Sequence, residues 1–135
     1  MRKTSSLFNL SVCVGFILQL LNKNIDISKS ANAIWFETIY NKISLWSNIL
    51  GYMFQISDDI LDAVTDLNKD KPNICSIIGE DNAKKLLNKG CEWLVVSELL
   101  LFNNTSNNTS NDINILYLNR NVIIEIINKI QNRIV

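Results

Sequence analysis

Apolar residues recur at helical spacing along most of this chain. Leu7, Leu10, Val14, Ile17 and Leu21 fall at three- and four-residue steps, which predicts an ordinary buried helix over residues 3–22. Residues 23–30 are polar and read as a loop, with Ser30 placed to cap the next helix. The longest apolar run follows over 31–66, through Ile34, Phe36, Ile39, Ile43, Trp46, Ile49, Leu50, Met53, Phe54, Ile60, Leu61 and Val64. Helices of that length are uncommon in small domains, and Ser47-Asn48 is a place where a break could fall. A charged loop with Pro72 spans 68–73, and a further helix is expected from Glu80 to Phe102. Residues 103–112, NNTSNNTSND, are low in complexity and read as a flexible loop. A last apolar helix is expected over 113–134, carrying Ile123, Ile126, Ile127 and Ile130. Four Gly and one Pro leave few turn formers, so the expected fold class is all-α.

Composition narrows the function. The 135 residues form one domain at most, and 47% apolar with 19% charged residues is a globular balance. Equal numbers of basic and acidic residues (13 each) give no electrostatic reason to bind nucleic acid. The lack of His excludes His-based triads and most zinc sites. Cys13, Cys75 and Cys91 are odd in number and widely spaced, which fits reduced thiols in a cytosol-like compartment better than disulfides. Asn and Ile each occur 20 times; both have AT-rich codons, which points to an endosymbiont, plastid or parasite genome. That bias also accounts for the N-x-T sequons near Asn103. Met1-Arg2-Lys3 before an apolar run, with Ala31-Asn32-Ala33 further on, has the form of a secretory leader. The run is expected to be too short and interrupted for a transmembrane segment.

The segment with chemistry in it is Phe54-Gln55-Ile56-Ser57-Asp58-Asp59-Ile60-Leu61-Asp62. On a helix Asp58 and Asp62 share a face, Asp59 flanks them, and Gln55 lies one turn before. Three carboxylates within about one turn repel one another. Mg²⁺ relieves such repulsion, because it binds through one or two carboxylates together with substrate phosphates. A solvated acidic face at the end of a helix is an equal reading of D-D-x-x-D taken alone.

The surroundings of that motif tip the balance. Gly51 to Asp62 resembles the G-x-x-F-Q-x-x-D-D-x-x-D segment of the trans-isoprenyl (polyprenyl) diphosphate synthases. Lys3-Thr4-Ser5-Ser6-Leu7-Phe8 resembles their upstream K-T-x-x-L-[FI] motif. Lys71 to Gly79 is similar in spacing to their downstream K-x-T-x-x-x-L-x-G. The resemblance covers roughly residues 1–90. It implies that the chain, 1–135, is a C-terminal portion of the isoprenoid synthase helical bundle with the second aspartate-rich motif. The implied activity is Mg²⁺-dependent condensation of isopentenyl diphosphate with an allylic diphosphate. The resemblance assigns Asp58 as a direct Mg²⁺ ligand, supported by Asp59 and Asp62. It places Lys3 on the allylic diphosphate, Thr4 and Gln55 beside the reacting carbons, Phe54 on the isoprenoid chain, and Lys71 and Lys69 on diphosphate. The implied location is the cytoplasm or the interior of a plastid or endosymbiont.

The match has departures. The first aspartate-rich motif lies in the family's N-terminal half, which has no counterpart here. The spacer from Lys3 to Phe54 is longer than the family's, the loop from Asp62 to Lys71 is shorter, and Asn73 and Ile74 stand where Thr and Tyr are usual. The chain is therefore expected to act with a separate N-terminal half or a homologous synthase subunit, as one part of a split or truncated enzyme, and to be inactive alone. A non-catalytic helical partner subunit, a decayed remnant, another Mg²⁺-diphosphate enzyme such as a terpene cyclase, and a secreted helical protein are the alternatives.

Overall fold

A computed structural model describes residues 2–26, 28, 30–68, 71–103 and 120–134. Every regular element among them is an α-helix, so the fold class is all-α. The helices are α1 (Arg2–Asn22), α2 (Ser30–Leu61), α3 (Ala63–Asn68), α4 (Ile74–Ile78), α5 (Glu80–Asn103) and α6 (Arg120–Asn132). The low-complexity loop beyond Asn103, and residues 113–119 of the expected last helix, lie outside the described residues.

Helix α1 ends in a reversal dictated by one residue. Asn24 adopts φ 53°, a left-handed conformation that Asn tolerates better than most side chains. The Asn24 N–H then donates to the Leu21 carbonyl at 3.0 Å and the Ile25 N–H to the Leu20 carbonyl at 3.2 Å. Ile25 packs back on the cluster that includes Leu20, and an apolar contact commonly accompanies this kind of cap. The chain turns, and α2 returns antiparallel to α1.

Helix α2 is the spine of the molecule. Ile39, Ile43, Trp46, Leu50, Met53, Ile56 and Ile60 make one buried stripe along it. The first two join Cys13, Phe16 and Leu20 of α1, with Phe16 stacked on Phe36 at 5.9 Å. The rest meet Ala83, Leu87, Cys91 and Leu94 of α5 and Ile123, Ile127 and Ile130 of α6. Two buried polar groups fix this packing: the Trp46 indole N–H donates to the Leu94 carbonyl at 3.0 Å, and the Ser57 hydroxyl to the Ile130 carbonyl at 3.1 Å. All three cysteines are free. Burial pushes the Cys91 thiol up to about 11, so it stays protonated and unreactive at neutral pH.

Two expectations are corrected here. The long helix does not break at Ser47-Asn48; the Ser47 hydroxyl bonds back to the Ile43 carbonyl at 2.8 Å and the helix runs on. It breaks at Asp62 instead, where the Asn73 side-chain amide donates to the Asp59 carbonyl at 2.6 Å. A side chain inserted into the helical ladder is a common cause of such a break. Second, the α1 stripe that periodicity singles out faces outward. Leu7, Leu10, Val14, Ile17 and Leu21 are exposed, and Ser5, Cys13, Phe16 and Leu20 are the buried face. The helix Thr4–Asn22, 19 residues, is long and apolar enough by length and composition to cross a membrane, but one such helix near the N-terminus is weak evidence for a span, since core helices and leader sequences pass the same test.

Gly51 permits the close approach of α1 and α2. A Cβ on Gly51 would lie 2.5 Å from the Ser5 Cα, which is backbone and cannot swing aside. Gly51→Ala should therefore cost about 1–3 kcal/mol through forced separation of the two helices. A lowered urea midpoint with unchanged slope is the expected observation.

Candidate functional site

The three segments of the sequence resemblance meet where the start of α1, the end of α2 and the approach to α4 come together. The Thr4 hydroxyl on α1 donates to Gln55 Oε1 on α2 at 2.9 Å. Gln55 Nε2 donates to Asp59 Oδ1 one turn on, at 3.1 Å. Asp59 Oδ2 accepts the Ile74 N–H of α4 at 3.1 Å. Thr4 and Asp59 thus orient the Gln55 amide from both ends, and all three groups are half-buried. Beside them Phe8 and Phe54 pack ring on ring at 5.3 Å.

Asp58 has a different partner. Its Oδ1 lies 2.8 Å from an Arg133 guanidinium nitrogen, with the two side chains 32% and 38% exposed. The same guanidinium sits over the Phe54 ring at 5.0 Å from its centroid. A planar cation holding a carboxylate while covering an aromatic face is a geometry particular to Arg. Asp62, at the helix break, is exposed.

The turn after α3 is built on Asn73, which is buried. Its Oδ1 accepts the Cys75 N–H at 2.8 Å, capping α4, and its Nδ2 donates to the Asp59 carbonyl at 2.6 Å and to Asp66 Oδ2 at 3.1 Å. Lys71 turns toward Asp66, with Nζ 3.9 Å from Oδ1 and its backbone N–H donating to the Asp66 carbonyl.

The sequence-derived site residues therefore divide into groups. Thr4, Gln55 and Asp59 form one connected network, and Phe54 and Asp58 adjoin it. Lys71 is paired with Asp66. Lys3 lies in α1 with its side chain outside the described residues, and Lys69 lies outside them altogether. The acidic trio does not converge: among the described residues no group of three or more His, Cys, Asp or Glu is placed to hold one metal ion. Asp59 has both carboxylate oxygens in protein hydrogen bonds. Asp58 is held by Arg133, and Asp62, four residues on, is exposed.

Sequence reasoning missed two residues here. Arg133 lies beyond the last helix, far along the chain from Asp58, with no local cue. Its signal is indirect: the buried stripe Ile123, Ile127, Ile130 packs α6 on α2 beside Ser57, so the turn after Ile130 reaches the level of Asp58. Asn73 was read only as a departure from the usual Thr, although Asn before a short apolar turn is a capping signature.

Comparison with protein-family models, with curated proteins and with solved structures finds no match.

Proposed function

We propose that the chain is the second-motif part of a prenyltransferase of isoprenoid biosynthesis, acting with an N-terminal half to condense isopentenyl diphosphate with an allylic diphosphate. What supports the reading most is the Thr4–Gln55–Asp59 connection. Two segments that resemble separate motifs of one family lie within hydrogen-bonding distance, although they are far apart in sequence.

In this reading Asp58 and Asp62 hold Mg²⁺. An ion held there would supply charge neutralisation for a diphosphate leaving group. Lys3 and Lys71 hold diphosphate oxygens; the Lys71–Asp66 pair is long and largely exposed, so it yields at little cost. Gln55, locked between Thr4 and Asp59, presents a fixed amide dipole to the substrate beside the Phe54 ring. Arg133, which is partly exposed, would have to release Asp58 for that carboxylate to hold an ion. In the unliganded chain it offsets the repulsion that three neighbouring acids would otherwise produce.

One observation favours the non-catalytic partner subunit. Arg133 and the Ile74 N–H already satisfy Asp58 and Asp59 without any ion. Reconstitution separates the two readings. Co-expressed with an N-terminal half that carries the first aspartate-rich motif, the chain is expected to restore Mg²⁺-dependent incorporation of labelled isopentenyl diphosphate. A stable complex that incorporates none would overturn the enzymatic reading and leave the partner subunit.

A further inference from the structure

One side chain stands on two residues of the candidate site at once. The Arg133 guanidinium lies 2.8 Å from Asp58 Oδ1 and over the Phe54 ring, 5.0 Å from its centroid. The prenyltransferase reading gives Asp58 to an ion and Phe54 to the isoprenoid chain, so a single group covers both positions. Its place is set by the packing. The Ser57 hydroxyl, fully buried and next to Asp58, donates to the Ile130 carbonyl at 3.1 Å. Ile123, Ile127 and Ile130 bury α6 in the cluster it shares with α2. The turn that follows α6 is thereby laid beside Asp58. The Arg133 side chain itself is 38% exposed and belongs to neither core cluster.

We infer, on the prenyltransferase reading, that Arg133 is an autoinhibitory strap. In the free chain it closes Asp58 and the Phe54 face, and it must lift before either can meet a ligand. The strap also accounts for the way the acids are held. Among the described residues no three acids are placed to hold one ion. Asp58 is committed to the guanidinium, and Asp59 to Gln55 and the Ile74 N–H. Both contacts of Arg133 are of a reversible kind. At partly exposed sites an ion pair shifts an equilibrium by about 5-fold or less, and a cation over a ring by about 2- to 5-fold. Together they favour the closed strap by about 10-fold. A ligand that needs the open state then binds with an apparent dissociation constant about 10-fold above its intrinsic one. Lysine would close the site less firmly, because it pairs with a carboxylate but has no planar group to lay on the ring.

The test uses the whole chain without a partner and reads binding instead of turnover. Mn²⁺ titrated by electron paramagnetic resonance probes Asp58, and geranyl diphosphate titrated by calorimetry probes the Phe54 side. Arg133→Gln should tighten both by about 10-fold, and Arg133→Lys by about 2- to 5-fold, the share of the ring contact. Adding Asp58→Asn to Arg133→Gln should remove the gain in Mn²⁺ affinity. The urea midpoint of Arg133→Gln should stay close to that of the parent, because α6 docks through its isoleucines. A large fall in that midpoint would make Arg133 a structural tie and overturn the strap. Equal Mn²⁺ affinity in the native chain and Arg133→Gln, lost in both on Asp58→Asn, also overturns the strap and leaves the metal reading standing. If Asp58→Asn changes Mn²⁺ binding in neither chain, the metal role of Asp58 fails and the strap fails with it.

Discussion

Leu87→Ala is expected to lower the stability of the chain by about 3–4 kcal/mol, the upper part of the range for a buried leucine truncated to alanine. Leu87 is fully buried. It lies in the cluster that unites α2, α5 and α6, between Ala83 and Cys91 along its own helix. Neighbours rooted on three helices cannot all relax into the space left behind, so the cavity term adds to the lost transfer free energy. A small domain has only about 5–15 kcal/mol of stability in total, so the loss is a large fraction of it. Leu86, next in sequence, is 42% exposed. Leu86→Ala should cost about 1 kcal/mol or less, because a large share of that residue stays in contact with water in the folded chain. Urea unfolding of the two variants side by side checks the prediction. Equal losses would mean that α5 packs with a different face inward.

The contrast between Leu86 and Leu87 shows what periodicity conveys and what it leaves open. In α6 the sequence singles out Ile123, Ile126, Ile127 and Ile130 alike; Ile123, Ile127 and Ile130 are buried, whereas Ile126 beside them is exposed. In α1 apolar residues occur all round the helix. Leu7, Leu10, Val14, Ile17 and Leu21 make as good a stripe as Cys13, Phe16 and Leu20, and sequence alone does not choose between them. The choice was made by the partner: the aromatic Trp35, Phe36 and Tyr40 of α2 pack against the Phe16 side. The break at Asp62 was hidden because its cause, Asn73, is a tertiary contact. No break formed at Ser47 because a serine in a helix can bond to its own preceding turn.

The candidate site was legible to a similar degree. Phe54, Gln55 and the three aspartates share one short helical segment, and helical geometry alone relates them. That Thr4 meets Gln55 follows from the antiparallel hairpin, whose register is set by the Gly51–Ser5 approach. Nothing local to Asp58 indicates Arg133, since that contact depends on how α6 docks. Long-range ion pairs of this kind become readable only once the packing of the helices is known.

In the reconstituted enzyme Asp58→Ala should reduce the rate of prenyl transfer by at least about 100-fold, or about 2.7 kcal/mol in the transition state. Asp59→Ala provides the contrast, because the two adjacent carboxylates are held differently. Asp59 bonds to the Ile74 N–H and to Gln55, so its removal should cost about 1 kcal/mol of stability and loosen the entry to α4. The rate should fall less than with Asp58→Ala, because only the orientation of Gln55 is affected. Asp58 supports no helix cap, and its partner Arg133 is partly exposed and can turn to water. Asp58→Ala should therefore leave the unfolding free energy within about 0.5 kcal/mol of the parent. Large loss of rate with little loss of stability at Asp58, and the reverse at Asp59, is the pattern expected if Asp58 is a metal ligand and Asp59 a positioning residue. Full activity in the Asp58→Ala enzyme would remove the metal role altogether. Equal effects at the two positions would mean that the acidic cluster acts only through the architecture of the α2–α4 junction.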